Sequence, residues 1–235
     1  MNLVAKRSIL LSPHIDDVPL SVGGCLLDGR FPFATVLNVF SISRSAYNDD
    51  DAERVTAARR LEDDRFFQLM GLPVERHYLD RLDAPIRLGI TDEDVCATPL
   101  SLKDSEEIAC IRKALDAIRS SDSLLVAPLG LGKHIDHLVV RRTAIAAARD
   151  GWSVAFYEDC PYAADLSFEA IQSVVDESSA ELGRHLKPQI FPFGPAGHSK
   201  EGAIKVYQSQ LGPTTVARVL VHSMRLGDGA ERLWL

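Results

Sequence analysis

The chain has 235 residues, of which 46% are hydrophobic and 25% charged, so it is long enough for one domain with a well-filled core. Acidic residues outnumber basic ones, and the formal net charge of -7 argues against nucleic acid or an anionic membrane as the main partner, because phosphate binding needs a basic surface. The cysteines are widely spaced, form no CxxC pair and are typical of reduced thiols, and no segment suits a signal peptide or a membrane span. We therefore expect a cytoplasmic protein without an integral membrane segment.

Short apolar runs alternate with segments of helical spacing along most of the chain. The predicted strands cover residues 8–11, 33–40, 76–79, 124–127 and 153–157. The predicted helices cover about 19–27, 51–70, 105–118, 136–149, 168–182 and 200–211. Because strands that alternate with helices form parallel sheets, we expect an α/β fold. This fold has a mostly parallel sheet with helices on both faces, in a single domain spanning residues 1–235.

Three stretches lack a regular pattern. Residues 83–104 form a long polar segment, and structureless loops of this length are uncommon inside compact domains unless they act as lids or binding loops. The segment 187–199 is rich in proline and glycine. Both are candidate substrate covers, the alternative being solvated insertions. The tail 231–235 stays unclassified.

Two histidine-aspartate clusters follow predicted strands. The first is Pro13-His14-Ile15-Asp16-Asp17, behind the strand at 8–11, and the second is His134-Ile135-Asp136-His137, behind the strand at 124–127. In open parallel α/β sheets, ligands bind outside the carboxyl ends of the strands. If the two strands are neighbours, both clusters contribute to one site.

The residue types in these clusters are those of a catalytic metal site. Catalytic zinc is held by three side chains drawn from imidazole nitrogen and carboxylate oxygen, with one position left for water. His14, Asp17 and His137 are the predicted ligands. The same donors accept Fe2+, Mn2+ or Co2+, so the sequence favours Zn2+ without excluding these metals.

The remaining residues of the clusters have candidate catalytic roles. Asp16 is the predicted general base, because a carboxylate beside a metal can take the proton of an attacking water. His134 could stabilise an oxyanion or protonate the leaving amine, with Asp136 holding the imidazole of His134 in its useful tautomer. A single His-x-Asp-Asp is more often a solvated turn with helix-capping aspartates. The second cluster at an equivalent strand end favours the metal site.

Further polar residues end predicted strands and are candidate substrate contacts. Arg44 follows the second strand and could bind a carboxylate or phosphate, although a surface arginine is an equal alternative. Glu158, Asp159 and Tyr162 follow the fifth strand, where pocket walls are built. The alternative for these three is a helix cap and a packed tyrosine.

The two clusters resemble the signature of the PIG-L (LmbE-like) superfamily of zinc-dependent N-acetylglucosaminyl deacetylases. The signature is Pro-His-x-Asp-Asp with a later Gly-Gly, here Gly23-Gly24, and then His-x-Asp-His. Weaker matches are Arg59-x-x-Glu62-Asp63, Tyr157-Glu158-Asp159-x-Pro161-Tyr162 and Lys200-x-x-Ala203-x-x-x-Tyr207-x-Ser209-Gln210. The chain departs from many members at Val18, where they carry Glu, and at Ile15 and Ile135, where they carry Pro.

The resemblance implies a Rossmann-like fold, metal ligands at His14, Asp17 and His137, a base at Asp16 and a His134–Asp136 catalytic pair. The expected activity is hydrolysis that removes an N-acetyl or N-acyl group from a small-molecule amino sugar or a glycoconjugate. Two alternatives stay open. One is a metal-dependent hydrolase of a non-sugar amide or ester, and the other is a sugar-binding protein without turnover. The sequence leaves the sugar, the acyl length and the oligomeric state open.

Overall fold

Seven strands form one sheet in the computed structural model, which describes residues 7–44, 51–71 and 74–235. The strands are β1 (Ser8–Ser12), β2 (Ala34–Asn38), β3 (Glu75–Tyr78), β4 (Leu124–Pro128), β5 (Ser153–Tyr157), β6 (Pro188–Pro192) and β7 (Ala230–Trp234). Their order in the sheet is β3-β2-β1-β4-β5-β7-β6. Strands β1 to β5 are parallel, and β7 pairs antiparallel with both β5 and β6. The predicted α/β fold with a mostly parallel sheet is confirmed.

Helices connect these strands. Within the described residues the α-helices are α1 (Asp17–Leu27), α2 (Ala52–Met70), α3 (Ala84–Leu88), α4 (Ser105–Ile118), α5 (Ile135–Arg149), α6 (Phe168–Leu182), α7 (Lys200–Ile204) and α8 (Pro213–Arg225). α4 packs on α5 and α5 on α6, whereas α1 packs on α2 and α7. Because crossovers between parallel strands are almost always right-handed, this strand order implies that the two groups lie on opposite faces of the sheet. None of the helices in this part of the chain is long and apolar enough to cross a bilayer.

The C-terminal region differs from the sequence prediction. Strand β6 has proline at both ends and is mostly exposed, as is usual for an edge strand, and β7 carries Glu231 and Arg232 in its centre. Neither sequence has the apolar pattern of a buried strand, so β6 and β7 are not predicted from the sequence. The helix predicted over 200–211 ends at Ile204 and is followed by turns, and the long segment 83–104 contains α3.

The order of the sheet reverses between β1 and β4. The chain leaves β1 toward β2 on one side and leaves β4 toward β5 on the other, while β1 and β4 pair directly through Ser8–Leu124 and Leu10–Val126. The ends of β1 and β4 therefore form the switch point where such sheets bind ligands. Both histidine-aspartate clusters begin at these ends.

Helix α1, which follows the first cluster, passes very close to the chain before α7. A Cβ atom on Gly24 would lie 2.2 Å from Cε1 of Phe193. Gly24→Ala is therefore expected to lower the free energy of unfolding by about 1–3 kcal/mol, as overpacked sites do. Urea unfolding measures the effect.

Gly202→Ala is the matched control, because a Cβ on Gly202 in α7 meets nothing within 4 Å. Alanine is the better helix former, so this variant should unfold at the wild-type urea concentration or above it. Equal unfolding midpoints for the two variants would contradict a steric role for Gly24.

Candidate metal and catalytic site

The first cluster is shaped by a tight turn between β1 and α1. The hydroxyl of Ser12 donates to the carbonyl of His14 (2.5 Å) and accepts from the backbone N–H of Val18 (3.1 Å). The N–H of His14 donates to Oδ2 of Asp17 at 2.7 Å. These bonds bring the side chains of the turn to the mouth of a cleft of about 340 Å³, a size typical of small-molecule sites.

His14, Asp17 and His137 come together in this cleft. Oδ2 of Asp17 lies 3.2 Å from Nδ1 of His14 and 3.3 Å from Nε2 of His137. One donor atom from each residue lies within 4.8 Å of the other two. Two imidazoles and one carboxylate, with no thiolate among the three, form the donor set of a catalytic rather than a structural zinc site. We call these residues the metal triad.

His137 is oriented by a buried carboxylate. Its Nδ1 lies 2.6 Å from Oδ1 of Asp159, whose Oδ2 accepts the backbone N–H groups of Gly130 (2.9 Å) and Leu131 (3.1 Å). A proton on Nδ1 leaves the lone pair of Nε2 facing Asp17, the arrangement that carboxylates impose on metal-binding histidines. Asp159 is fully buried and positions His137, and its predicted contact with substrate stays a prediction.

His14 is oriented in the same way, by Asp136. Nε2 of His14 lies 3.1 Å from Oδ2 of Asp136, which also accepts the N–H of Ala84 at 2.9 Å. Nη2 of Arg87 donates to the other oxygen of Asp136 at 2.7 Å. The predicted partner of Asp136 was His134, but only the backbone N–H of Asp136 reaches the Nδ1 of His134, at 3.2 Å. Side chains two residues apart on a helix point in different directions, which explains the difference.

The contacts of Asp136 also distinguish two candidate ligand groups. His14, His134 and Asp136 form a second set of donors at metal-binding distances. Both oxygens of Asp136 are bonded, to Arg87 and Ala84, whereas Oδ2 of Asp17 accepts the N–H of His14 and is approached by both imidazoles of the metal triad. The metal triad is therefore the better fit for a divalent ion.

The carboxylates favour positive charge where the metal triad converges. Burial disfavours charge on His14, but its contacts with Asp136 and Asp17 outweigh burial and raise its pKa to about 9. Burial is likewise outweighed at His137, where Asp17 and Asp159 raise the pKa. The pKa of Asp17 is lowered because its attraction to His137 and His14 exceeds the effect of burial. A divalent cation satisfies the same electrostatic demand and displaces such protons when it binds.

Asp16 lines the cleft beside the metal triad without belonging to it. Burial and the charge of Asp17 raise the pKa of Asp16 to about 6, although Arg59 and His14 act in the opposite direction. A carboxyl group with a pKa near neutrality can both accept and return a proton under physiological conditions. This position and pKa suit the predicted role of Asp16 as general base, which stays a prediction.

His134 lines the same cleft as the N-cap residue of α5. Burial, followed by the charges of His14 and His137, lowers the pKa of His134 to about 2. Its Nδ1 accepts the N–H of Asp136, so the proton of the neutral ring is on Nε2. His134 is thus a hydrogen-bond donor rather than an imidazolium.

The remaining predicted contact residues fall in different places. Tyr162 lines the cleft with its ring edge-on to His137, at a centroid distance of 5.5 Å. Arg44 is exposed near the rim, and its Nη2 lies 3.5 Å from the carbonyl of the cleft residue Pro85. The substrate role of Arg44 stays a prediction.

Glu158 lies away from the cleft. Its carboxylate bonds to Nε2 of His222 (2.7 Å), Nε of Arg232 (2.6 Å) and Nε1 of Trp234 (2.9 Å). Neighbouring residues at a strand end point to opposite sides, so Glu158 and Asp159 cannot both face the site. Glu158 attaches β7 and α8 to β5, and its predicted contact with substrate stays a prediction.

Several residues that line the cleft were not predicted as site residues, because they come from segments far from the two clusters in sequence. They are Ser43, Arg59, Asp83, Gln210, Thr215 and Arg218. The weaker sequence matches contained a signal for part of this wall. Glu62 accepts the N–H (2.6 Å) and the hydroxyl (2.7 Å) of Ser209, and Asp63 accepts the hydroxyl of Tyr207 at 3.0 Å. Two separate matches therefore contact each other and hold Gln210 at the cleft.

Fold and site together define a Rossmann-like α/β protein with a candidate metal centre at its switch point. No family model matches the sequence. A relative, 2'-N-acetylparomamine deacetylase of Streptomyces fradiae, is 32% identical over 240 residues, which cover 97% of this chain and 81% of that protein. The chain belongs to the LmbE-like (PIG-L) deacetylase family.

Solved structures agree on the fold. The A40926 pseudoaglycone deacetylase Dbv21 superposes with a TM-score of 0.68 at 24% identity, covering 97% of this chain and 96% of that one. The zinc-inhibited form of teicoplanin deacetylase Orf2 has a TM-score of 0.69 at 22% identity, covering 97% of both chains. The Rossmann-like architecture expected from the resemblance is confirmed.

Proposed function

We propose that the chain is a zinc-dependent N-deacetylase that removes an acetyl or longer acyl group from the amine of an amino sugar or glycoconjugate, acting as a single domain over residues 1–235. The observation that carries the proposal is the convergence of His14, Asp17 and His137 beside the general-base candidate Asp16. The relative of Streptomyces fradiae supports an acetylated amino sugar as substrate.

The metal triad would hold the ion through two nitrogens and one oxygen, a set that suits Zn2+ and also accepts Fe2+, Mn2+ or Co2+. When bound, such an ion polarises the acyl oxygen and lowers the pKa of water. The carboxylates of Asp136 and Asp159 keep the two imidazoles in the orientation that binding needs.

The other residues of the cleft handle protons and charge. Asp16 takes a proton from the attacking water, whose oxygen forms a bond to the acyl carbon. Nε2–H of His134 donates a hydrogen bond to the oxyanion that develops there. Asp16 then returns the proton to the amide nitrogen, the C–N bond breaks, and the free amine and the carboxylic acid leave. Asp136 contributes by holding both His14 and, through its backbone N–H, His134.

The four cysteines are all free thiols, and Cys25 and Cys160 are buried. Free thiols persist in a reducing compartment. This supports the cytoplasm as the site of action in our proposal.

The test is a substrate panel run on protein stripped of metal and then loaded with Zn2+. The panel contains 2'-N-acetylparomamine, simple N-acetylated amino sugars, an N-acyl glycopeptide, a non-sugar anilide and an aryl ester. Mass spectrometry should find deacylated amino sugar only with metal present. Turnover of the anilide or ester alone would instead favour the non-sugar hydrolase, and tight sugar binding without product would favour a binding protein.

A further inference from the structure

Arg87, on α3 within the long segment 83–104, bridges two buried carboxylates. Its Nη2 donates to Oδ1 of Asp136 and its Nη1 to Oδ1 of Asp104, both at 2.7 Å. The Arg87 side chain is only 11% exposed, and its Cζ lies 5.1 Å from the ring centroid of Phe40. The planar guanidinium fork is therefore held in one geometry by two carboxylates and an aromatic face.

This bridge continues to the metal triad. With Oδ1 of Asp136 held by Arg87, its Oδ2 faces the N–H of Ala84 and Nε2 of His14. A carboxylate in this position fixes the tautomer and the ring orientation of a metal-binding histidine. The contact series is therefore Asp104, Arg87, Asp136 and His14.

The same segment builds the outer wall of the cleft. Pro85, Asp92 and Val95 line the cleft, and the carbonyl of Val95 accepts the N–H of Ile135 at 2.9 Å. Residues 89–101 are otherwise mostly exposed, so the wall depends on its few attachments to the start of α5. Two of these attachments, from Ala84 and Arg87, end on Asp136.

We infer that Arg87 is a positioning residue that couples the metal site to this wall, an inference that rests on the metal site of the proposed function. Asp136 serves both partners, since one of its oxygens orients a metal ligand while both anchor the segment 84–87. A contact that holds the carboxylate of Asp136 in place therefore stabilises both the orientation of His14 and the position of the segment 84–87. Metal binding therefore orders the wall, and by thermodynamic reciprocity an ordered wall strengthens metal binding.

The experiment compares Arg87→Met with Arg81→Met. Arg81 makes an equally well-formed pair, with Nε and Nη2 donating to the two oxygens of Glu107 at 2.7 and 2.8 Å, but it has no contact with Asp136 in the described structure. Zn2+ affinity is measured by competition with a chromogenic chelator. Hydrogen exchange of residues 89–101 is measured on the metal-free proteins. Arg87→Met should lose about 10- to 100-fold in Zn2+ affinity and exchange faster over 89–101, whereas Arg81→Met should change neither.

Two further measurements do not depend on the folding of Arg87→Met. Arg87→Lys keeps the charge but can pair fully with only one carboxylate, so its Zn2+ affinity should fall between the wild-type and Met values. Zn2+ should also slow exchange over 83–104 in the wild-type protein. The inference would be overturned if both Arg87 variants bound Zn2+ with wild-type affinity. It would also be overturned if Zn2+ left the hydrogen exchange of residues 83–104 in the wild-type protein unchanged. Neither result would count against the metal site. Failure of the wild-type protein to bind Zn2+ would instead refute the proposed function itself.

Discussion

Replacing Asp16 with Asn is expected to lower kcat/KM for deacylation by about 10²- to 10⁴-fold, the usual contribution of a general base, while Zn2+ content stays at the wild-type level. The amide has nearly the shape of the carboxylate but cannot accept the proton of the attacking water. Because Asp16 lies beside the metal triad rather than in it, the donors at His14, Asp17 and His137 are unchanged.

Asp17→Asn is the matched control, one position along the same turn. It replaces the carboxylate that both imidazoles of the metal triad approach. This variant should lose Zn2+ and activity together. The pair is measured by elemental analysis after gel filtration and by initial rates at saturating Zn2+. Normal turnover in Asp16→Asn would remove Asp16 from the mechanism, and loss of Zn2+ from that variant would make Asp16 a ligand.

The parts of the fold that were predicted correctly are those with a local cause. Strands β1 and β4 are uninterrupted apolar runs, and both are completely buried in the sheet. Because β1 and β4 are parallel neighbours, their carboxyl ends lie together at one edge of the sheet. This explains why the two clusters meet although His14 and Asp136 are 122 positions apart in sequence.

The parts that were not predicted depend on contacts between distant segments. Arg87 lies in a polar stretch, and nothing in its neighbourhood indicates that Asp136, 49 positions away, is its partner. Closeness in sequence favours His134 as the partner of Asp136, whereas the carboxylate of Asp136 faces His14, in the turn after β1. Glu158 and Asp159 looked equivalent, but the sheet turns them to opposite sides. Residue type and position predicted that the two clusters meet at one cleft, and tertiary packing determined which group each residue contacts.

The middle of helix α1, which begins at Asp17, is bonded to a buried ion pair. Nζ of Lys200 donates to Oε1 of Glu231 (2.7 Å) and to the carbonyl of Leu20 (2.6 Å). Glu231 in turn accepts the backbone N–H groups of Gly24 (2.8 Å) and Cys25 (2.7 Å). In an unbroken helix the N–H of Gly24 would bond to the carbonyl of Leu20. The ion pair replaces that bond.

The replacement is needed because α1 is interrupted. Val22 has φ -130° and ψ 19°, outside the helical region, so the backbone groups on either side of it lose their helical partners. Unpaired buried backbone groups are strongly unfavourable. Lys200 and Glu231, at 1% and 3% side-chain exposure, supply partners for both sides of the interruption.

Lys200→Met is therefore expected to lower the free energy of unfolding by about 3–5 kcal/mol, because it leaves the charge of Glu231 buried without a partner. Lys205→Met, in the exposed pair with Glu201 just after α7, is the matched control and should change stability little. Urea unfolding measures the free energy of unfolding of both variants. If Lys200→Met and Lys205→Met lost the same amount, the buried pair would contribute no more to stability than the exposed one.

The double variant Lys200→Met/Glu231→Gln separates charge from shape. The amide oxygen of Gln can still accept one of the N–H groups at Gly24 and Cys25, and no uncompensated charge remains buried. The double variant should therefore be more stable than Lys200→Met alone, giving a favourable coupling in the double-mutant cycle. If the double variant is the less stable of the two, the energy lies in packing around the side chains. The interruption of α1 would then be maintained by shape rather than by the ion pair.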